Sequence, residues 1–247
     1  NDFLGLPVDL SLGRQDFVFK YGEGFLIMDG TPLDGSRTFY FDAAKANIEF
    51  TDNHSLDLVY IENPDDDEHL PSIYQAQKRN LNTSDEQGIV VYSRNKFNNL
   101  SVEPYYIFKN EEMSEGPDFY ADAGELDLHT FGARATYKNG PWDARGEFAW
   151  QTGEYDVALD REGYGGYAFV GYLLKDVRFS PRVELGFVSL SGDDPTTLDE
   201  DEAFNPLFSR WPWLSELTIL TEAVERGIAY TTNQQWYRAR LTLALTE

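Results

Sequence analysis

The chain has 247 residues and no cysteine, which suits one large domain and excludes a disulfide framework or a thiolate metal or redox site. Its net charge of −23 opposes nucleic-acid binding. Mean hydropathy is −0.48 and no apolar run approaches the ~20 residues of a membrane helix, but a β-barrel hides only alternate residues in lipid and escapes both criteria.

The first informative stretch runs from Leu12 to Ala43. Phe17, Phe19 and Tyr21 alternate with Asp16, Val18 and Lys20, and Arg14 shares the polar parity. Such alternation predicts a strand with one apolar and one polar face. A Gly-, Pro- and Asp-rich loop follows, and a second strand is expected over 36–50, with a change of phase near Ala43 and Ala44. Residues 54–62 form the third, after a short turn at Asp52 and Asn53. A long polar loop over 63–86 leads to a hairpin of 87–94 and 100–110, turning at Phe97, Asn98 and Asn99. There Val102, Tyr106 and Phe108 share one parity, and Glu103 and Lys109 the other.

A second long loop spans 111–125. The clearest hairpin is 126–138 with 142–153, turning through Lys138, Asn139, Gly140 and Pro141. Trp142, Ala144, Phe148 and Trp150 share one face, and Asp143, Arg145, Glu147 and Gln151 the other. In 164–174 Tyr167, Phe169 and Leu173 share a parity. Residues 181–190 set Val183, Leu185 and Phe187 against Arg182 and Glu184, and a third long loop covers 192–212. Residues 214–226 suit strand or helix equally. Residues 234–245 alternate Tyr237, Ala239, Leu241 and Leu243 against Arg238 and Arg240. About eleven strands with alternating short and long connections are the rhythm of an up-and-down barrel.

Two patches carry a family resemblance. One is Leu12-Gly13-Arg14-Gln15, Tyr21-Gly22-Glu23-Gly24, Ser36-Arg37-Thr38-Phe39 and Phe41-Asp42-Ala43; the other is Phe204-Asn205-Pro206-Leu207-Phe208. Together they resemble the alginate-export family of bacterial outer-membrane β-barrels. The resemblance implies an all-β, antiparallel transmembrane barrel in the outer membrane, in contact with its lipid. It also implies conduction of an anionic polysaccharide or small anionic solute. The whole chain, 1–247, is expected to be one such domain. Its start at Asn1 shows no leader segment and its end no terminal aromatic, so a piece of a larger barrel is expected.

Charge is distributed unevenly. Segments 63–70, 111–125, 154–162 and 193–202 hold 20 of the 43 acidic residues and a single base, Arg161, hence −19; the rest carries 23 acids and 19 bases, hence −4. Solvated loops explain this. Clustered carboxylates also suit Ca²⁺, with Asp193, Asp194, Asp199 and Asp201 as candidates, although no helix-loop-helix calcium spacing occurs and no other cofactor is expected.

Arg14, Arg134, Arg145, Arg182, Arg238 and Arg240 fall on polar strand parities, which in a barrel face the lumen, and Lys20 shares that parity. Arg37 and Asp42 lie inside the motif, where the phase change leaves their facing open, and Arg37 is counted with the lumen candidates. Guanidinium groups are always charged and bind carboxylates bidentately, so a ladder of them would replace the water lost by an anion. The same groups could instead brace the wall with Asp16, Asp143, Glu147 and Glu184. No enzyme is expected, since His54, His69 and His129 show no pairing with a serine on an exposed face. Two alternatives remain: a structural barrel that sheathes or anchors a protein partner in the membrane, and a soluble β-sandwich that binds carbohydrate through its aromatics.

Overall fold

The computed structural model describes residues 2–3, 5–28, 40–64, 84–113, 124–156, 159–209 and 232–244. Within them the strands are β1 (Asp2–Phe3), β2 (Leu6–Gln15), β3 (Ile27–Met28), β4 (Phe41–Thr51), β5 (His54–Asn63), β6 (Ser84–Phe97) and β7 (Leu100–Met113). There follow β8 (Glu125–Asn139), β9 (Trp142–Tyr155), β10 (Leu159–Leu173), β11 (Arg182–Leu190), β12 (Glu200–Asp201), β13 (Phe208–Ser209) and β14 (Gln234–Thr242). The main sheet runs β1-β2-β4-β5-β6-β7-β8-β9-β10-β11-β14 with antiparallel neighbours throughout. Among the described residues its edges are β1 with β2 and β14, and no helix is present.

Leaving aside the two-residue strands β3, β12 and β13, each strand of the main sheet pairs with the next in the chain, so the connections alternate between two ends. Two-residue turns at 52–53, 98–99 and 140–141 share one end with the 174–181 connection. The connections that include 64–83, 114–124, 156–158 and 191–233 lie at the other. The expected separation of short turns from long acidic loops is therefore built into the strand order. Residues 65–83, 114–123 and 210–231 lie outside the described residues, as do Arg37, His69 and the ambiguous stretch 214–226.

Parity sets the two faces. Trp142 (52% exposed), Trp150 (39%), Phe148, Val183, Leu185, Tyr237 (82%) and Leu241 point outward, as their alternation requires. A single layer with its aromatic face outward is not a sandwich, in which that face would be buried. The inner face is not bare. Two segments fold back against it: 16–28, after β2, and 201–209, after β12.

The first of these corrects the expected strand. Backbone pairing of β2 ends at Gln15, and residues 17–26 run through turns on the inner face. Phe17, Tyr21 and Phe25 are buried there, while Phe19 is exposed and takes a left-handed backbone (φ 51°). The alternation of aromatics that mimics a strand is a run of packing contacts on an irregular segment. The second strand starts at Phe41, and its irregularity lies between Glu49 and Thr51; Ala43 and Ala44 sit in regular register with Gly13 and Leu12. In β10 the shared parity of Tyr167 and Phe169 faces inward, where both rings are buried.

The two folded-back segments meet. Phe25 stacks on Phe204 at 5.1 Å, and Phe208 meets Phe41 edge-on at 6.0 Å. β3 pairs in parallel with β13, Ile27 with Phe208 and Met28 with Ser209. Ser209 Oγ donates to the Gly24 carbonyl at 2.5 Å. Burial of Phe17, Phe25, Phe204, Leu207 and Phe208 stabilises this plug by about 1.5–3 kcal/mol per side chain. Gly165 admits the contact: a Cβ there would lie 2.6 Å from the Phe204 ring.

Candidate functional site: a charged inner face beneath a plug

β8, β9, β11 and β14 place Arg134, Arg145, Arg182, Arg238 and Arg240 on the inner face: Arg134, Arg145 and Arg240 lie across the ladder from the buried Glu147, Phe169 and Glu184, and Arg182 and Arg238 share the parity of Glu184 and Arg240 on their own strands. Glu184 on β11, 3% exposed, is the hub. It accepts from Arg145 Nη1 at 2.7 Å and Arg182 Nη2 at 2.9 Å, and lies 3.4 Å from Arg238 Nη2. Arg182 also forms a bidentate pair with Asp143. Arg145 and Arg238 stand over the Phe169 ring, 4.5 and 5.3 Å from its centroid, which favours the cations further. Arg240, exposed on the edge strand, lies opposite Glu184 in the ladder.

Glu23 reaches this cluster from the plug. Its carboxylate lies 2.9 Å from Arg145 Nε and 3.1 Å from Arg134 Nη2. Arg134 is held on its other side by Glu103 at 3.2 Å, and Glu103 accepts from the Tyr92 hydroxyl at 2.5 Å. Glu147, buried beside Arg134, accepts from the hydroxyls of Tyr105 at 3.0 Å and Tyr167 at 2.9 Å. These residues form one continuous field of fixed charge.

A second cluster surrounds Asp57 on β5. The buried carboxylate takes Asn47 Nδ2 at 2.5 Å, Arg94 Nη1 at 3.0 Å and the Tyr21 hydroxyl at 3.1 Å, with Lys45 Nζ at 3.5 Å. Arg94 also donates to the Lys20 carbonyl at 2.8 Å and packs on the rings of Tyr21 and Tyr92. The plug is thus tied to the wall at its first turn as well as through Glu23.

Three wall side chains hold 201–209 by its backbone. Arg161 on β10 donates to the Ala203 carbonyl at 2.5 Å and pairs with Asp201. Gln151 on β9 donates to the Asn205 carbonyl at 2.7 Å and accepts from the Asn205 amide at 2.8 Å. Lys109 on β7 donates to the Leu207 carbonyl at 3.2 Å and to Glu86 and Glu111 at 2.7 and 2.6 Å. Leu207 itself is left-handed (φ 53°), a strain of about 1–3 kcal/mol that these contacts and the Asn205 side chain impose.

Several sequence expectations take a different place. Arg14 does not join the arginine field: it faces outward, across the ladder from Asp42, and the two form an exposed bidentate pair at 3.0 and 2.8 Å. Asp16 caps the Val18 amide at 2.7 Å, and Lys20 turns back to the Asp16 carbonyl. Arg161, the single base in an acidic segment, is a buried anchor. Glu23, Asp57, Arg94, Lys109 and Gln151 belong to the site although parity alone did not single them out as such.

Of the calcium candidates, Asp201 is committed to Arg161 and to the Ala203 amide, and Asp194 to Thr196. The Thr196 amide holds the Asp194 carboxyl below the usual range; desolvation, and then the nearby Asp201, raises that of Asp193. Asp199 lies exposed in the same loop. Among the described residues, no three His, Cys, Asp or Glu side chains are grouped to hold a metal ion. His54 contacts Asn95, and His129 contacts Tyr106 on the outer face.

The chain is similar to known proteins in two ways. A family model described as alginate export matches residues 1–225. Among solved structures, an outer membrane protein of Vibrio cholerae, OmpT folded in vitro and in its trimer form, aligns with a TM-score of 0.43 at 12% identity. The alignment covers 74% of this chain and 66% of that one, so this chain spans just under two thirds of that protein. No curated protein sequence matches the chain.

Proposed function

From the premise that the chain belongs to the alginate-export family and forms an outer-membrane β-barrel channel, a transporter rather than an enzyme, we propose that it passively conducts an anionic polysaccharide or small anionic solutes along the arginine field of its inner face. The observation that supports this is the grouping of Arg134, Arg145, Arg182, Arg238 and Arg240 on one face of β8, β9, β11 and β14, partly exposed, with Arg145 and Arg238 over the Phe169 ring of the intervening β10. An anion leaving water meets fixed donors at successive positions, and each lies near a carboxylate that weakens its grip, so binding need not become trapping. The acidic loops oppose this at the mouth. Charges in solvated loops are screened within about 8 Å at physiological salt, whereas charges on a confined inner face are screened less and dominate permeation.

The reading predicts a modest anion preference that grows with salt as the mouth is screened. Reversal potentials across a planar bilayer under a KCl gradient measure it, and R145Q/R238Q should reduce it without unfolding the barrel. A wild-type pore that prefers cations at every salt concentration would refute it.

A further inference from the structure

We infer that Glu23 is a built-in competitor: a carboxylate carried by the plug that occupies the Arg134–Arg145 position, where the carboxylate of a passing solute would bind. The inference rests on the anion-conduit reading above and adds to it the residue that sets the site's affinity.

The ion pairs carry the argument. Arg134, Arg145, Arg182 and Arg238 meet three carboxylates from the wall, Glu103, Glu184 and Asp143, and one from the plug, Glu23. Glu147 is close but is taken by two tyrosine hydroxyls. Without Glu23, these four guanidinium groups keep ion pairs to three wall carboxylates only, and the position between Arg134 and Arg145 loses the carboxylate that bridges them. Arg134 keeps Glu103 and Arg145 keeps Glu184, so neither cation collapses onto the other when Glu23 leaves.

Glu23 is also presented for this contact. Gly22 before it has φ 66°, a left-handed backbone that suits glycine. A Cβ on Gly22 would stand 3.1 Å from Glu147 Oε2 and 3.3 Å from Arg134 Cδ. The missing Cβ lets the turn press onto the arginine stem without displacing these side chains. Unlike the wall acids, Glu23 sits on an irregular segment whose neighbouring turn is held by Asp57 and Arg94, so its carboxylate can swing away without breaking the sheet. A uronate shares the charge and the planar oxygens of Glu23, and exchange of one for the other conserves the pairing.

The test uses block of KCl current by sodium glucuronate in planar bilayers, with glucose as the neutral control. E23Q keeps the shape and removes the charge, and should lower the half-blocking glucuronate concentration about threefold to fivefold, the scale of one partly exposed ion pair. E23D keeps the charge but shortens the reach, and should fall between E23Q and wild type. Glucose should block none of them. An E23Q channel blocked no more readily than wild type, or not at all, overturns the inference. The R145Q/R238Q reversal potential, read in the same bilayers, separates the two claims: if it falls as expected while glucuronate block ignores Glu23, the conduit reading stands and only the competitor role is lost. If R145Q/R238Q leaves the ion preference unchanged, the conduit reading itself fails.

Discussion

Replacing Lys109 with methionine tests whether the plug is held by charge rather than by packing. The ammonium is fully buried and all three of its hydrogens are used, on Glu86, Glu111 and the Leu207 carbonyl. An exposed pair of this kind would contribute about 0–1 kcal/mol. Here the methionine fills much of the volume but leaves two carboxylates, each about 12% exposed, facing one another and a carbonyl without its donor. Breaking a buried pair from one side costs about 3–5 kcal/mol. K109M should therefore lower unfolding stability by that amount, read by urea titration of tryptophan fluorescence in lipid vesicles. K109M/E86Q/E111Q removes the stranded charges and should recover most of the loss. A K109M cost below about 1 kcal/mol, or a triple variant no better than the single one, would refute the reasoning.

Three further outcomes follow from the geometry. R14A should cost under about 1 kcal/mol and leave the reversal potential unchanged, because its pair with Asp42 is exposed and faces away from the field. The chain has no cysteine, so N98C and D199C should label from opposite sides of the membrane; labelling of both by an impermeant reagent on whole cells would contradict the strand order. The loop over 193–202 should become sensitive to pepsin only as pH falls below about 4. Donors from Thr196 to Asp194, and from the Asp194 amide to Glu202, lower both carboxyls, so their contribution is complete above the ordinary carboxyl value and is lost on passing below it. A change in cleavage between pH 5 and 7 would point to other groups.

The strands were legible because lipid on one side and polar groups on the other impose period two. Trp142 to Trp150 and Tyr237 to Leu241 point where alternation puts them. The plug was hidden for the same reason. Phe17, Phe19 and Tyr21 alternate by accident of packing, and period counting cannot tell a strand from a turn-rich segment whose aromatics fill gaps. A trace of the plug did exist in the wall: Val59 and Ile61 on β5, and Val90 and Tyr92 on β6, are apolar on the inner parity as well as the outer. A wall facing only water would not be. The arginine field was legible as a set, since parity groups it. Its partner Glu23 was not, because it comes from another part of the chain and nothing local marks it.

The anchoring of 201–209 explains why its wall contacts are polar although its own side chains are largely apolar. Carbonyls at Ala203, Asn205 and Leu207 are spaced by two, and they are met in turn by Arg161, Gln151 and Lys109. The amides are satisfied too: Ala203 by Asp201, Phe204 by the Ser191 carbonyl, Asn205 by Gln151, Leu207 by Asn205, and Phe208 by the Leu26 carbonyl. Only the start of this segment joins the ladder, β12 pairing in parallel with β10 at Asp160 and Arg161, before β11 begins to pair; beyond that point β9, β10 and β11 spend their backbone on one another. Long side chains from the wall supply the missing partners, and their spacing of two fixes the register as firmly as a strand would. A slip of one residue would turn all three carbonyls away from their donors. Phe204 and Phe208 then pack where the backbone puts them, against Phe25 and Phe41, and so the second family-like patch closes over the first and holds Glu23 against the arginines.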